Sequence, residues 1–286
     1  MSIDPSEPTV RIEHTPDRVA ILRVGRNDPI VVQRAAPQTR PYLHPILTPD
    51  EKGLLTEDTP PHHPWQHGLY VGLNDVNGVG FWTEGLRGDP MDGTFHPAPL
   101  EAPRVSGNQA RWVVETVWRG PGGHAMLAET QRWMLADHGR TYELDLDWSL
   151  VAATDLRFGP SAYGGLFLRM PYRPERGGEV INSEGQTGAA TEARRARWVA
   201  VSMPIDGRSD WAGIAVLDHS ANPEHPVPWR VDGQLGVSPS RSIAGAWELH
   251  QGETAKATYR LVVFCGQTDV EHVEARWRAF SGKAGQ

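Results

Sequence analysis

From residue 141 to residue 150 the chain alternates without a break. Tyr142, Leu144, Leu146, Trp148 and Leu150 fall on one face, and Glu143, Asp145, Asp147 and Ser149 on the other. Successive side chains of a strand point to opposite faces, so a period of two sustained this long describes an antiparallel strand buried on one side. Its acidic residues are expected on a solvated face. The apolar face needs a second layer, and the rest of the chain offers material for one. Short apolar runs recur at 10–13, 18–24, 30–33, 111–118, 125–135, 164–170, 196–203, 211–217, 243–249 and 256–264. Thr15-Pro16-Asp17 and Gly120-Pro121-Gly122-Gly123 read as hairpin turns, and 30 Gly and 24 Pro punctuate the whole length. There is no βαβ alternation and no glycine-rich phosphate loop. One helix is expected, over 268–281, opened by the capping-box pattern Thr268-x-x-Glu271. Val270, Val273, Trp277 and Phe280 form its apolar stripe, to pack on an open sheet edge or on one sheet's outer face. The reading is an all-β, two-sheet antiparallel sandwich with one C-terminal helix, a single domain over 1–286 whose first nine residues are flexible.

Charge and cysteine content narrow the function classes. A net charge of -7 argues against a nucleic-acid partner. The basic run Arg194, Arg195 and Arg197 is short and reads as a solvated strand edge. The single cysteine, Cys265, excludes an internal disulfide and suits a reducing compartment. It lies in the apolar run LVVFC and reads as a buried, inert thiol. The opening MSIDPSEPTV lacks the basic and apolar regions of a signal peptide, and no run approaches the ~18 apolar residues of a membrane span. The expectation is a cytoplasmic protein with no membrane partner.

Chemistry concentrates in residues 58–84, DTPPHHPWQHGLYVGLNDVNGVGFWTE. His62, His63 and His67, the carboxylates Asp75 and Glu84, and the rings Trp65, Tyr70, Phe81 and Trp82 all fall there. Asn77-Gly78 is a hairpin turn that folds Phe81 and Trp82 back against the histidines. The polar, glycine-rich stretch from about 85 to 108 is long for a plain connection and is expected to form a lid or rim.

Several segments taken in order resemble the family called PmoA-like, or DUF6807. They are Arg40-Pro41-Tyr42, His63-Pro64-Trp65-Gln66-His67-Gly68-Leu69, Asp75-Val76-Asn77-Gly78-Val79-Gly80-Phe81-Trp82 and Tyr163-Gly164-Gly165-Leu166. Gly213-Ile214-Ala215, Asp218-His219, Asn222-Pro223, Pro228-Trp229 and Tyr259-Arg260-Leu261 follow. The resemblance implies a β-sandwich akin to the sugar-mutarotase sandwiches, associated with bacterial carbohydrate metabolism. The methane oxidation that the family name evokes is not carried over, because that membrane enzyme needs hydrophobic spans. Gln66 departs from the pattern, standing where the family favours a second histidine.

Geometry then weighs the candidate roles. On a straight strand the Cα atoms of His63 and His67 would lie ~13 Å apart, too far to share a divalent metal at ~2 Å from each nitrogen. Co-ligation would require a turn, so metal binding is the less favoured reading. Imidazole passes protons near neutrality, which makes His63, His67 and His219 candidates for acid–base chemistry with Glu84 as a carboxylate partner. Glu129 is expected to be a solvated strand residue. Trp65, Trp82 and Trp229 are candidates to stack on a sugar, whereas Trp112, Trp118, Trp133, Trp148 and Trp277 read as core. Arg169 is placed to anchor a hydroxyl or carboxylate, with Tyr163 and Asn222 completing the substrate contacts. The Asp218–Asn222 loop is expected to form the opposite wall. The function expected is an enzyme of sugar catabolism, an epimerase, lyase or hydrolase, and its rival is a non-catalytic carbohydrate-binding sandwich.

Overall fold

A computed structural model describes residues 8–282, so most of the segment expected to be flexible, residues 1–7, lies outside the described residues. Two antiparallel sheets face each other. The first has eleven strands, whose main path runs through Val10–Thr15, Arg18–Arg23, Pro29–Arg34, Tyr42–Ile46, Leu69–Val76, Gly164–Leu168, Val237–Pro239 and Trp229–Val231. Val79–Phe81, Leu156–Phe158 and Trp247–Leu249 attach beside it. The second has nine, running through Glu179–Asn182, Trp198–Pro204, Trp211–Asp218, Thr254–Cys265, Thr141–Ala152, Ala125–Asp137, Gln109–Arg119 and Thr94–Pro97, with Arg104–Ser106 attached to Gln109–Arg119.

Between them, Ile21, Val31, Leu43, Val71 and Leu73 of the first sheet meet Trp112, Trp118, Trp133, Leu144, Leu146 and Val263 of the second. This is the sandwich solution to the apolar face of residues 141–150. The expected hairpins at 10–24 and 109–137 are both present. The stretch 85–108 is less irregular than its composition suggests. Thr94–Pro97 and Arg104–Ser106 both pair with Gln109–Arg119, leaving residues 85–93 and 98–103 outside the strands. Pro97 and Pro99 conceal the strand signal there.

Two carboxylates expected in solvent are buried instead. Glu143 pairs with Arg260 at 3.1 Å and with Arg276 of the C-terminal helix at 3.3 Å. Glu129 is in phase with Leu127, Gln131 and Trp133 and so points into the core. There it accepts from Trp118 Nε1 at 3.0 Å, Trp148 Nε1 at 2.8 Å and Gln131 Nε2 at 2.9 Å. Burial pushes its pKa up, against the pull of these three donors.

The helix, Val270–Ser281, lies on the outer face of the second sheet, with Val273 and Phe280 buried against Trp198, Leu217 and Phe264. Its first apolar candidate, Val270, stays exposed. The cap is one residue later than the sequence pattern suggests. Asp269 accepts from His272 N at 3.0 Å, while Thr268 donates to Ser202 Oγ at 3.3 Å.

What positions the site is the outer face of the first sheet. Leu69, Val71 and Leu73 point into the core, so Tyr70, Gly72 and Asn74 point away from it. Tyr42 and Phe167 are the cross-strand partners of Tyr70. This aromatic row would face solvent were it not roofed by the segments that follow Asp58 and Phe81.

Replacing Asp269 with Ala should cost about 1 kcal/mol in urea unfolding, the usual worth of a lost N-cap. Thr268→Ala should stay within about 0.5 kcal/mol. The reverse order would return the cap to Thr268.

Candidate functional site

The histidine stretch is a closed loop rather than a strand. Asp58 and His67 pair as an isolated antiparallel bridge, and Thr59 N donates to Gln66 O at 2.8 Å. Two successive turns fill the interval, with His63 N donating to Pro60 O at 2.8 Å and Gln66 N to His63 O at 3.0 Å. The hairpin at Asn77-Gly78 forms as its sequence demands, with φ of 52° and 80° at the two central residues. It returns Phe81 to the core and lays Trp82 over Tyr70 and Phe167.

Arg40 locks these two segments together. It is 1% exposed, and its guanidinium donates to Trp65 O at 2.6 Å, Trp82 O at 3.1 Å and Phe81 O at 3.3 Å. Its Nε lies 2.7 Å from Glu84 Oε1, and its Cζ sits 4.0 Å above the Tyr70 ring. Gly72 makes the room, because a Cβ there would lie 2.6 Å from Arg40 Nη1. Glu84 in turn faces His67 Nε2 at 3.5 Å, and His67 Nδ1 donates to Asp58 Oδ1 at 2.6 Å. Tyr42 stacks on the imidazole at 4.3 Å between centroids.

The result is a buried chain of alternating charge: Arg40, Glu84, His67, Asp58. Burial disfavours the imidazolium of His67, but Asp58 and Glu84 outweigh it and raise the pKa. Burial likewise opposes ionisation of the two carboxyls. Arg40 and His67 nonetheless hold Glu84 below its ordinary value, and His67 does the same for Asp58. Burial and the Asp58 charge push Tyr42 up to about 12.

Above this chain lies a pocket of about 820 Å³. Trp65, Trp82 and Tyr163 supply aromatic surface, and His63, Gln66, Asn74, Thr83, Arg87, Asp89 and Asp92 supply polar groups. Asp92 accepts from the Thr83 hydroxyl and from Gly85 N at 3.2 Å, which ties down the 85–92 rim. Arg87 lies 5.4 Å over the Trp65 ring. Gln66 Oε1, Trp65 Nε1 and His63 Nδ1 are buried without a partner among the described residues, as is Tyr70 Oη beneath. Burial, followed by the neighbouring His62 and Arg169, lowers the pKa of His63, so this imidazole is neutral at neutral pH.

The structure thus brings together His63, Trp65, Trp82 and Tyr163 of the residues expected at the site. His67 and Glu84 lie outside the pocket lining, with His67 Nδ1 engaged by Asp58 at 2.6 Å and its Nε2 facing Glu84 at 3.5 Å. Among the described residues no three His, Cys, Asp or Glu side chains group as metal ligands. Arg169 is buried beside the pocket, donating to Glu57 Oε2 at 3.1 Å and to His62 Nε2 at 3.1 Å.

The remaining three lie elsewhere. Trp229 is wholly buried, with Nε1 donating to Ala196 O at 2.9 Å. Asn222 braces its own loop through Asp218 Oδ1 and Thr258 O, both at 2.7 Å. His219 packs edge-on against Phe280 of the helix. Asp218 orients His225 at 2.7 Å rather than His219. The opposite wall expected from the Asp218–Asn222 loop is formed instead by Tyr163 and the 85–92 rim. Sequence reasoning missed Arg40 and Asp58 as site residues. The Arg-Pro-Tyr motif that holds Arg40 was the available signal.

Fold and site define a β-sandwich protein with a roofed, aromatic-lined pocket on the outer face of one sheet. The chain belongs to DUF6807, a family of unknown function, which matches residues 28–278. No curated protein matches it. Among solved structures it is similar to galactose 1-epimerase from Lactobacillus acidophilus NCFM, with 10% identity over 92% of this chain and 100% of that one, at a TM-score of 0.40. A galactose mutarotase related enzyme from Lactobacillus acidophilus has 8% identity over 89% and 97% of the two chains, at 0.39. A GH36 alpha-galactosidase from Geobacillus stearothermophilus has 9% identity over 89% of this chain and 40% of its own, at 0.40.

Arg40→Ala leaves Glu84 buried without its cation and should cost roughly 3–5 kcal/mol in urea unfolding. The pH dependence follows from the signs of the shifts. The raised His67 pKa contributes stability that is complete below about pH 6.5 and is lost as pH rises through the folded value. The depressed Asp58 and Glu84 values contribute stability that is present above about pH 4 and is lost on acidification. Unfolding free energies should therefore fall as pH rises above about 6.5, and His67→Gln should flatten that decline. Equal slopes in the two proteins would remove His67 from the account.

Proposed function

We propose that the pocket over Trp82 binds a carbohydrate and that His63 is its proton-transfer group. The observation that carries this reading is the gathering of three aromatic rings and several polar side chains in one cavity. A sugar presents C–H faces that stack on Trp65, Trp82 and Tyr163, and hydroxyls that can bond the polar side chains of Gln66, Asn74 and Arg87. His63 is the pocket imidazole that is neutral and not held by a carboxylate, the form a general base requires. Asp89 and Asp92 are the carboxylates within the same cavity that can serve as its acidic counterpart. Epimerisation or elimination at a sugar carbon suits this arrangement. Arg169 and His62 extend the polar wall for a hydroxyl or carboxylate substituent. No helix among the described residues is long and apolar enough to cross a membrane. A cytoplasmic setting suits the single half-buried thiol of Cys265, whose pKa burial raises.

Binding and catalysis separate in one experiment. Mono- and oligosaccharides are screened by tryptophan fluorescence, and any ligand found is tested for turnover. Trp65→Ala should weaken binding by about 5- to 30-fold, the worth of one aromatic platform. His63→Ala should leave binding largely intact and lower turnover by about 10²- to 10⁴-fold. Unchanged turnover in His63→Ala would remove the catalytic claim and leave a binding protein. Unchanged affinity in Trp65→Ala would remove the pocket.

A further inference from the structure

A second hollow, of about 590 Å³, lies on the outer face of the other sheet, beside the C-terminal helix. Cross-strand register dictates its chemistry. Arg104 stands opposite Arg111, Arg111 opposite Met134, and Met134 opposite Asp145. One row along, Val113 stands opposite Arg132 and Arg132 opposite Asp147. Like charges placed directly opposite one another destabilise a strand pair, and Arg104–Arg111 is such a pair. The carboxylates nearby do not relieve it. Both oxygens of Asp145 are taken by Arg260, at 2.6 and 2.8 Å, and Asp147 accepts from Thr258 Oγ1 at 3.1 Å. Glu101 borders the hollow without pairing with any of the three arginines. Among the described residues Arg104, Arg111 and Arg132 form no ion pair, in a chain whose acidic residues outnumber its Lys and Arg by 35 to 28.

We propose that this hollow is a second ligand site, for a small molecule carrying a phosphate or sulfate group on a partly apolar body. A tetrahedral oxyanion accepts from several guanidinium forks at once and cancels the repulsion between Arg104 and Arg111. Val113, Met134 and Phe280 line the same hollow and offer the apolar contact. The site is separate from the pocket over Trp82 and shares no lining residue with it.

The test is thermal unfolding and titration calorimetry of the full chain with inorganic phosphate and with sulfate, against chloride at matched ionic strength. The wild type should show saturable stabilisation by at least one of the two anions, and the stronger one identifies the group preferred. The double variant Arg104→Gln/Arg111→Gln should bind at least tenfold more weakly. At low salt without either anion its Tm should lie above that of the wild type, because the repulsion is gone; a purely structural role for these arginines would lower it. His63→Ala should bind the anion as the wild type does. No saturable response in the wild type, or an undiminished one in the double variant, overturns the proposal.

Discussion

A guanidinium held away from water sets the terms for one side of this molecule. Arg40 is buried, and a buried cation is tolerated only when it is paired and its donors are engaged. Its donors reach the backbone at Trp65, Phe81 and Trp82, and its charge is met by Glu84. Those partners belong to two segments, which Arg40 and the Glu84–His67 contact hold together. The Asp58–His67 loop and the turn after Phe81 therefore close over the outer face of the first sheet as one roof. Glu84, His67 and Asp58 carry the alternation of charge outward, so that each burial is compensated by the next residue. Gly72 is part of the same arrangement, because any side chain there would displace the cation.

The roof turns an otherwise ordinary sheet face into a pocket. Tyr70 and Phe167 would be exposed aromatics on an uncovered sheet; under Trp82 they are buried and support it. The pocket's polar lining, His63, Gln66, Asn74, Thr83, Arg87, Asp89 and Asp92, stands beside the rings of Trp65, Trp82 and Tyr163. His63 and His67 illustrate how environment divides like residues. His63 lacks a carboxylate partner and its pKa is lowered, whereas His67 stands between Asp58 and Glu84 and its pKa is raised.

Much of the architecture was legible from period and punctuation. The alternation at 141–150, the two hairpins, the Asn77-Gly78 turn and the terminal helix are local patterns, and local patterns survive folding when a single face is buried. The strand Leu69–Val76 was less visible, because it is covered on both faces and its apolar residues do not alternate with polar ones. The three-residue strands carry too few positions to show a period at all. Glu143 read as solvated from its place in the alternation, and Glu129 from its charge. Their phase placed Glu129 against three indole and amide donors, and the helix laid Arg276 over Glu143.

For the site, the sequence by itself determined which stretch matters: residues 58–84 hold His63, Trp65 and Trp82, and all three line the pocket. The closing turns were also implicit, since Pro64 and Asn77-Gly78 leave the chain few alternatives. Only the tertiary structure decided the division of labour. Whether a histidine is open to the pocket or held in a charged chain depends on what stands within a few ångströms of each nitrogen. Here that is set by Asp58 and Glu84, brought together by a bridge and a hairpin. It likewise sent His219, Asn222 and Trp229 away from the pocket and set Arg40 beneath its walls, because strand order places residues distant in the chain side by side and no spacing rule spans that distance.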